Sequence, residues 1–182
     1  MLKSVYKNVG VNSFMNRRFD DKKLGWLRAG KEFALFIIIA FFVFRFIVGI
    51  SQVSGNSMQT TFEDGQIVVF SRMHRKQFER GDIVSVRMPS GEYLIKRVIA
   101  VAGDTVELYD GIVYINGKAE EAEYVNGKTM PQGDSVQYPV EIREGQIFVM
   151  GDNREVSIDS RTIGPVSATQ TRGKIIQLKK HY

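Results

Sequence analysis

Tyr93-Leu94-Ile95-Lys96-Arg97-Val98-Ile99-Ala100-Val101 is the stretch on which the fold turns. Apolar and aromatic residues fill the run except at its centre, where two cations stand side by side. Length and composition are those of a β-strand, and neighbouring side chains of a strand point to opposite faces. Leu94, Lys96, Val98 and Ala100 therefore share one face, and Tyr93, Ile95, Arg97 and Ile99 the other. Alternation alone does not say which cation points inward.

Similar runs lie on both sides. Gln66–Phe70, Ile83–Met88, Thr105–Tyr109, Ile112–Ile115, Gln146–Met150 and Lys174–Leu178 are rich in β-branched and aromatic residues, with turn residues between them. Asp110-Gly111 separates two of these runs by two residues, the signature of a type I′ hairpin. Asn116-Gly117 and Asn126-Gly127 mark further turns. Residues 117–137 are polar and poor in apolar side chains, which reads as a long exposed excursion. Many short strands with few helical stretches predict a mainly β domain, a mixed-pairing barrel or sandwich closed enough to limit its edges.

Ahead of this domain Phe33 to Phe44 runs without a polar residue, and Phe46-Ile47-Val48-Gly49-Ile50 continues it past Arg45. Eighteen residues at about 1.5 Å each give roughly 27 Å, close to the ~30 Å of a bilayer core. Arg45 lies near one end, where its side chain can reach outward to the interface. No polar face appears at helical spacing, which argues against a buried core helix. A cleavable leader would fit the small residues of Gly49-Ile50-Ser51, but the segment before the run is too long for one. The reading is an uncleaved transmembrane helix over residues 32–50, a basic tail over 1–31 and a catalytic domain over 51–182. Lys3, Lys7, Arg17, Arg18, Lys22, Lys23, Arg28 and Lys31 face only Asp20 and Asp21 in the tail, so it holds the whole excess behind the net charge of +5. A basic excess confined to one side of an apolar run is a topology signal rather than a nucleic-acid footprint. By the positive-inside rule it puts the N-terminus in the cytoplasm and residues 51–182 outside.

The chain has no cysteine, which excludes disulfides and a thiolate nucleophile. Its only histidines, His74 and His181, are far apart, so no metal or cofactor is expected. Ser54-Gly55-Asn56-Ser57-Met58, just past the apolar run, offers serines in a glycine-containing turn, and a serine hydroxyl needs a base to become a nucleophile. His74 sits in Arg72-Met73-His74-Arg75-Lys76, a run with the character of a solvated loop. The other route is a lysine made acidic by desolvation, which needs burial on an apolar strand. Lys96 meets that condition, and unlike Arg97 it can lose its proton. A third segment, Gly151-Asp152-Asn153-Arg154-Glu155-Val156-Ser157-Ile158-Asp159-Ser160-Arg161, follows an apolar strand. Its density of hydroxyls, acids and arginines suits a buried network that orients a catalytic group.

Together these segments resemble the type I signal peptidases, membrane-bound Ser-Lys proteases that remove signal peptides from exported proteins. The similarity rests on Gly55-Asn56-Ser57-Met58-Gln59-Thr60-Thr61, on Gly81-Asp82-Ile83-Val84, on Lys96-Arg97-Val98-Ile99 with Gly103-Asp104, and on Gly151 to Arg161. It implies Ser57 as nucleophile, its N–H as an oxyanion donor, and Lys96 as general base. It implies that Ser157 hydrogen-bonds the lysine, that Asp152, Arg154, Asp159 and Arg161 form a supporting ion network, and that Met58 packs beside the nucleophile. The implied fold is a signal-peptidase-like β domain resting on the outer face of a bacterial plasma membrane. The implied partners are membrane lipid and signal peptides with small side chains at the first and third positions before the cut. Length and a single anchor are similar to the short Gram-positive branch. Gly55 stands where some relatives carry a hydroxyl donor, Thr60 where proline is common, and Ala100 and Ala102 where glycine and proline are common.

Two other readings compete. A signal-peptidase-like factor that binds secreted or pilus subunits with little proteolysis would have no need of both Ser57 and Lys96. A self-cleaving repressor shares the Ser-Lys chemistry but needs a DNA-binding domain where the apolar run stands.

Overall fold

The computed structural model describes residues 25–73, 77–120 and 122–176. Residues 1–24 of the basic tail, His74, His181 and the last residues of the strand expected over 174–178 lie outside these.

The chain divides after Arg45. In the first part, helix α1 covers residues 25–42, and a π-helical turn, Val43–Ile47, continues it. Phe33, Phe36, Ile38, Phe41 and Phe44 are exposed along this segment. Among the described residues no helix is long and apolar enough to cross a membrane. The helix expected over 32–50 is divided, because Val48–Gln52 leave it to form strand β1. That strand escapes a hydropathy reading, since Val48, Gly49 and Ile50 continue the apolar run without a break. Its pairing is specific: Gly49 stands opposite Phe70 of β2 (Ile67–Ser71), and a Cβ on Gly49 would meet the Phe70 ring at 2.2 Å.

The remaining strands are β3 (Ile83–Arg87), β4 (Tyr93–Val101), β5 (Thr105–Tyr109), β6 (Ile112–Ile115), β7 (Lys118–Ala119), β8 (Val140–Glu141), β9 (Gln146–Met150), β10 (Val166–Ser167) and β11 (Thr171–Ile176). One sheet has the order β1-β2-β11-β3-β4-β9-β10 and the other β7-β6-β5-β8. Among the described residues every ladder is antiparallel, so the expected mixed pairing is not found there, and the strand order of neither sheet returns to its first strand. A short helix α2, Ser160–Ile163, begins at Asp159, whose carboxylate caps it by accepting from the Arg161 N–H.

β4 lies inside the larger sheet, between β3 and β9, and is buried on both faces. One apolar cluster gathers Val53, Met58, Phe62, Val68, Phe70, Ile83, Ile95 and Ile175. Another holds Val84, Val86, Val98, Ile147, Val149 and Val166. A register shift against β9 between Val98 and Ala100 interrupts the alternation late in the run, and burial of both faces removes the either-or between the two cations. Lys96 and Arg97 are both buried.

Excursion 117–137 is mostly exposed, as its composition suggests, but it is tied to the Gly151–Arg161 segment. Asn126 forms a parallel bridge with Asn153, its N–H donating to the Asp152 carbonyl at 2.9 Å and its own carbonyl accepting from the Arg154 N–H at 2.8 Å. Thr129 is buried, while Asn126 itself stays exposed. Polar residues predict solvent unless other polar residues receive them, and here the Gly151–Arg161 segment does so.

β11 shifts register against β3 between Thr171 and Gly173. Gly173 has a φ of 153°, and a Cβ there would fall 1.9 Å from the Ser71 carbonyl oxygen of β2. Gly173→Ala is expected to lower unfolding stability by about 2–3 kcal/mol, read by chemical denaturation, because backbone has to move to admit the methyl group.

Candidate active site

The Ser57 turn is set by what lies under it. The Thr61 and Phe62 N–H groups both donate to the Met58 carbonyl, closing a tight turn, and Met58 and Phe62 insert into the cluster around Ile95. Burying a side chain the size of Met58 contributes about 1.5–3 kcal/mol. With Met58 anchored, the neighbouring Ser57 side chain faces β4. The Lys96 ammonium donates to Ser57 Oγ at 2.6 Å.

The register of β4 and β9 brings in the third segment. Arg97 is opposite Met150, so the chain leaving β9 passes directly over the cations. Gly151 has no space for a side chain: a Cβ would lie 2.3 Å from Ser157 Oγ and 2.4 Å from the Ser57 carbonyl oxygen. The Asn153 N–H donates to that same carbonyl at 3.1 Å. The serine turn and the Gly151 turn are therefore locked together through backbone.

Lys96 is 1 % exposed. Burial pushes its pKa down from 10.5 to about 8; the Asp159 charge opposes this, Arg161 adds to it, and Asp152 opposes it. Arg161 holds both oxygens of Asp159 at 2.9 Å, so that carboxylate is largely committed before it acts on the lysine. The Gly151 N–H donates to Asp159 Oδ2 at 3.0 Å and to Ser157 Oγ at 3.1 Å. Among the described residues no hydrogen bond joins Ser157 to Lys96, contrary to what the resemblance implies. The Ser157 hydroxyl is occupied by the Gly151 turn instead.

The ion network also differs from the expected one. Asp152 pairs with Arg97, Nε to Oδ1 at 2.8 Å and a terminal nitrogen to Oδ2 at 2.7 Å. Thr61 donates its hydroxyl to Asp152 and accepts from Arg97 at 2.9 Å. Arg154 pairs with Glu120 at 2.8 Å, and donates to Thr129 Oγ1 at 2.9 Å and to the Gly151 carbonyl at 3.0 Å. Arg97, Thr61 and Glu120 thus belong to the network without having been assigned to it. For Arg97 the signal was available, since a central strand buries both of its faces. Glu120 sits in a polar stretch with no pattern to mark it.

Gly81-Asp82 and Gly103-Asp104 are structural. The Gly81 N–H donates to the Val98 carbonyl and the Val98 N–H to the Asp82 carbonyl, which clips the entry of β3 onto β4. Asp104 pairs with Arg80. Burial opposes its charge, but hydrogen bonds from Arg80, the Val101 N–H and Asn116 hold its pKa below the usual carboxylate value. Thr60 has a φ of 102°, which proline cannot adopt, so the turn after Met58 departs in shape from a proline-bearing one.

Ser57 and Lys96 open into a cleft of about 300 Å³ lined by Ser54, Gly55, Asn56, Leu94, Val156 and Ile158. Gly55 has a φ of 79° and nothing within 4 Å of where a Cβ would stand, so the cleft is open on that side. Its N–H donates to Asp64 at 2.7 Å.

The family model described as "Signal peptidase, peptidase S26" matches residues 26–178. Signal peptidase IB of Staphylococcus aureus is 33% identical over an alignment 158 residues long that covers 78% of this chain and 83% of that protein. Signal peptidase I of Bacillus licheniformis is 33% identical over an alignment 141 residues long that covers 72% of this chain and 75% of that one. A crystal structure of a signal peptidase I from Enterococcus faecalis V583 aligns with a TM-score of 0.46 at 32% identity, covering 54% of this chain and 97% of that one.

The Arg97–Asp152 pair yields a direct test. Asp152→Ala leaves a guanidinium buried without its counter-charge, and a loss of about 3–5 kcal/mol in chemical denaturation is expected. Asp152→Asn keeps an acceptor for Arg97 and is expected to lose less.

Proposed function

The chain belongs to the signal peptidase family, peptidase S26, and we propose that Ser57 and Lys96 are the dyad with which it cleaves signal peptides. It is a serine protease of that family, whose activity is the removal of signal peptides from preproteins. The observation that carries the dyad is the 2.6 Å contact between a buried lysine and the hydroxyl of a serine at a cleft.

In this reading neutral Lys96 takes the Ser57 proton as Oγ attacks the scissile carbonyl carbon. A tetrahedral oxyanion forms. Among the described residues no hydrogen bond engages the Ser57 N–H, which is then available to the oxyanion. The intermediate collapses as the C–N bond breaks, and the Lys96 ammonium returns the proton to the departing amine. An acyl ester on Ser57 results. Water then attacks the ester with Lys96 again as base, releasing the carboxylate and restoring the serine. A base with a pKa of about 8 is matched to this work near neutral pH, where an ordinary lysine is almost fully protonated.

The small volume of the cleft favours short residues before the scissile bond. Membrane attachment belongs to the same proposal. Its support is the apolar segment of α1 and the π-helical turn, exposed along its length, with the basic excess on its N-terminal side. The catalytic domain is then extracytoplasmic, on a bacterial plasma membrane.

Two measurements test the dyad. Ser57→Ala and Lys96→Ala are each expected to abolish cleavage of a preprotein in detergent while leaving the fold intact by circular dichroism; turnover by either variant at the wild-type rate would sink the assignment. In the wild type, kcat/KM is expected to rise with pH through an acid limb near 8, as Lys96 loses its proton. Asp159 raises the lysine pKa and Arg161 lowers it, so Asp159→Asn is expected to move that limb to lower pH.

A further inference from the structure

Excursion 117–137 meets the site at Tyr124 through both backbone and side chain. Tyr124 makes three different contacts, each to a separate part of the catalytic architecture. Its backbone carbonyl accepts from Thr60 Oγ1 at 2.9 Å, and Thr60 is three residues past Ser57. Its ring lies under the Arg97 guanidinium, 3.9 Å from ring centroid to the central carbon, and Arg97 is adjacent to Lys96 on β4. Its hydroxyl donates to Glu120 Oε1 at 3.0 Å, and Glu120 is the counter-ion of Arg154.

From this arrangement we propose that Tyr124 is a positioning residue, coupling the turn that carries Ser57 to the strand that carries Lys96. The proposal rests on the Ser57–Lys96 reading given above. Thr60 is the part of the turn that most needs support. It is β-branched at a φ of 102°, a conformation of the kind that costs about 1–3 kcal/mol and persists only where the surroundings impose it. The hydroxyl bond to the Tyr124 carbonyl is one such restraint. On the other side, Arg97 is fixed in its plane by both oxygens of Asp152. The Tyr124 ring closes the open face of that guanidinium in a half-buried setting, where a cation–π contact is worth up to about 2 kcal/mol. The phenol also carries an unusual load. Burial, with the Glu120 charge and the hydrogen bond to it, pushes the Tyr124 pKa well above the ordinary phenol value, so the hydroxyl stays a donor.

Rigid attachment of Tyr124 to both halves fixes the distance between a hydroxyl and an amine that must stay in contact. Catalysis by a positioned pair is steeply sensitive to such distances, a 1 Å error being worth about 100-fold in rate. Tyr124 touches no reacting atom, so its loss should appear in kcat rather than in substrate binding.

The test uses the full chain in detergent and a preprotein substrate, with Ser57→Ala as the inactive control. Tyr124→Leu, which removes ring and hydroxyl, is expected to lower kcat by about 10-fold with KM within twofold. Tyr124→Phe keeps the ring on Arg97 and is expected to recover most of that loss. Thr60→Val removes the hydroxyl bond while keeping the branched side chain, and its effect is expected to be non-additive with Tyr124→Leu in a double-mutant cycle. Wild-type kcat in folded Tyr124→Leu, or additive effects of the two changes, would overturn the coupling. Should Tyr124→Leu fail to fold, the comparison of Thr60→Val with Thr60→Val/Tyr124→Phe decides the same point. Activity remaining in Ser57→Ala would instead remove the dyad on which the proposal stands.

Discussion

An ammonium taken out of water and set 2.6 Å from a hydroxyl is the constraint to which the rest of the domain answers. A lysine left in solvent would hold its proton, and a lysine buried beside a free carboxylate would hold it more firmly. Lys96 does neither, because the carboxylates that surround it are already taken. Asp159 is gripped by Arg161, and Asp152 by Arg97. What reaches the lysine is a set of opposing charges, and desolvation, the largest influence, decides the direction. The ion pairs are thus more than fastenings. By neutralising each other they let burial act on the one group that can respond to it.

Burial on this scale is costly for the pairs themselves. Arg154 and Arg161 are among the largest fully buried side chains, and a buried ion pair gains little net stability over an apolar replacement. Their arrangement makes sense as geometry. Gly151 is the meeting point: its N–H is held by Ser157 and Asp159, its carbonyl by Arg154, and its missing side chain leaves room for the Ser57 carbonyl. The excursion supplies Glu120 and Thr129 to complete Arg154. A turn fixed from so many directions can hold a serine against a lysine without using either of them as a structural bond.

The strands of the domain were legible in the amino-acid sequence because they obey a local rule. Tyr93–Val101, Thr105–Tyr109, Ile112–Ile115 and Gln146–Met150 fall where the β-branched runs and their bounding glycines put them. The proposed dyad was read partly from chemistry, since little else in a cysteine-free, histidine-poor chain can activate a hydroxyl, and partly from the resemblance, which singled out Ser57. The misses share a different cause. β1 was hidden inside an apolar run, where hydropathy carries no information about the switch from helix to strand. Closure of the sheet depends on pairings between strands distant in sequence. Glu120 and Tyr124 belong to a polar stretch whose partners are also polar, so neither periodicity nor composition distinguishes its buried side from a solvated loop. The partner of Arg154 was left unassigned, because pairing among several acids and arginines is decided by register.

That register also explains why two cations stand together at the middle of β4. Adjacent residues on a strand face opposite ways, so one strand can serve two environments if both of its faces are buried. On one face the proposed mechanism requires an amine that releases its proton; on the other the structure has a charge that never leaves, holding Asp152 and Thr61 beneath the serine turn. Lysine suits the first and arginine the second, and exchanging them would fail on both sides. A guanidinium at position 96 could not act as base, and an ammonium at 97 could not span both oxygens of Asp152 while stacking on Tyr124. The order Lys96-Arg97 is therefore fixed by chemistry on one face and by geometry on the other. It needs an interior strand to work, and the sheet order provides one.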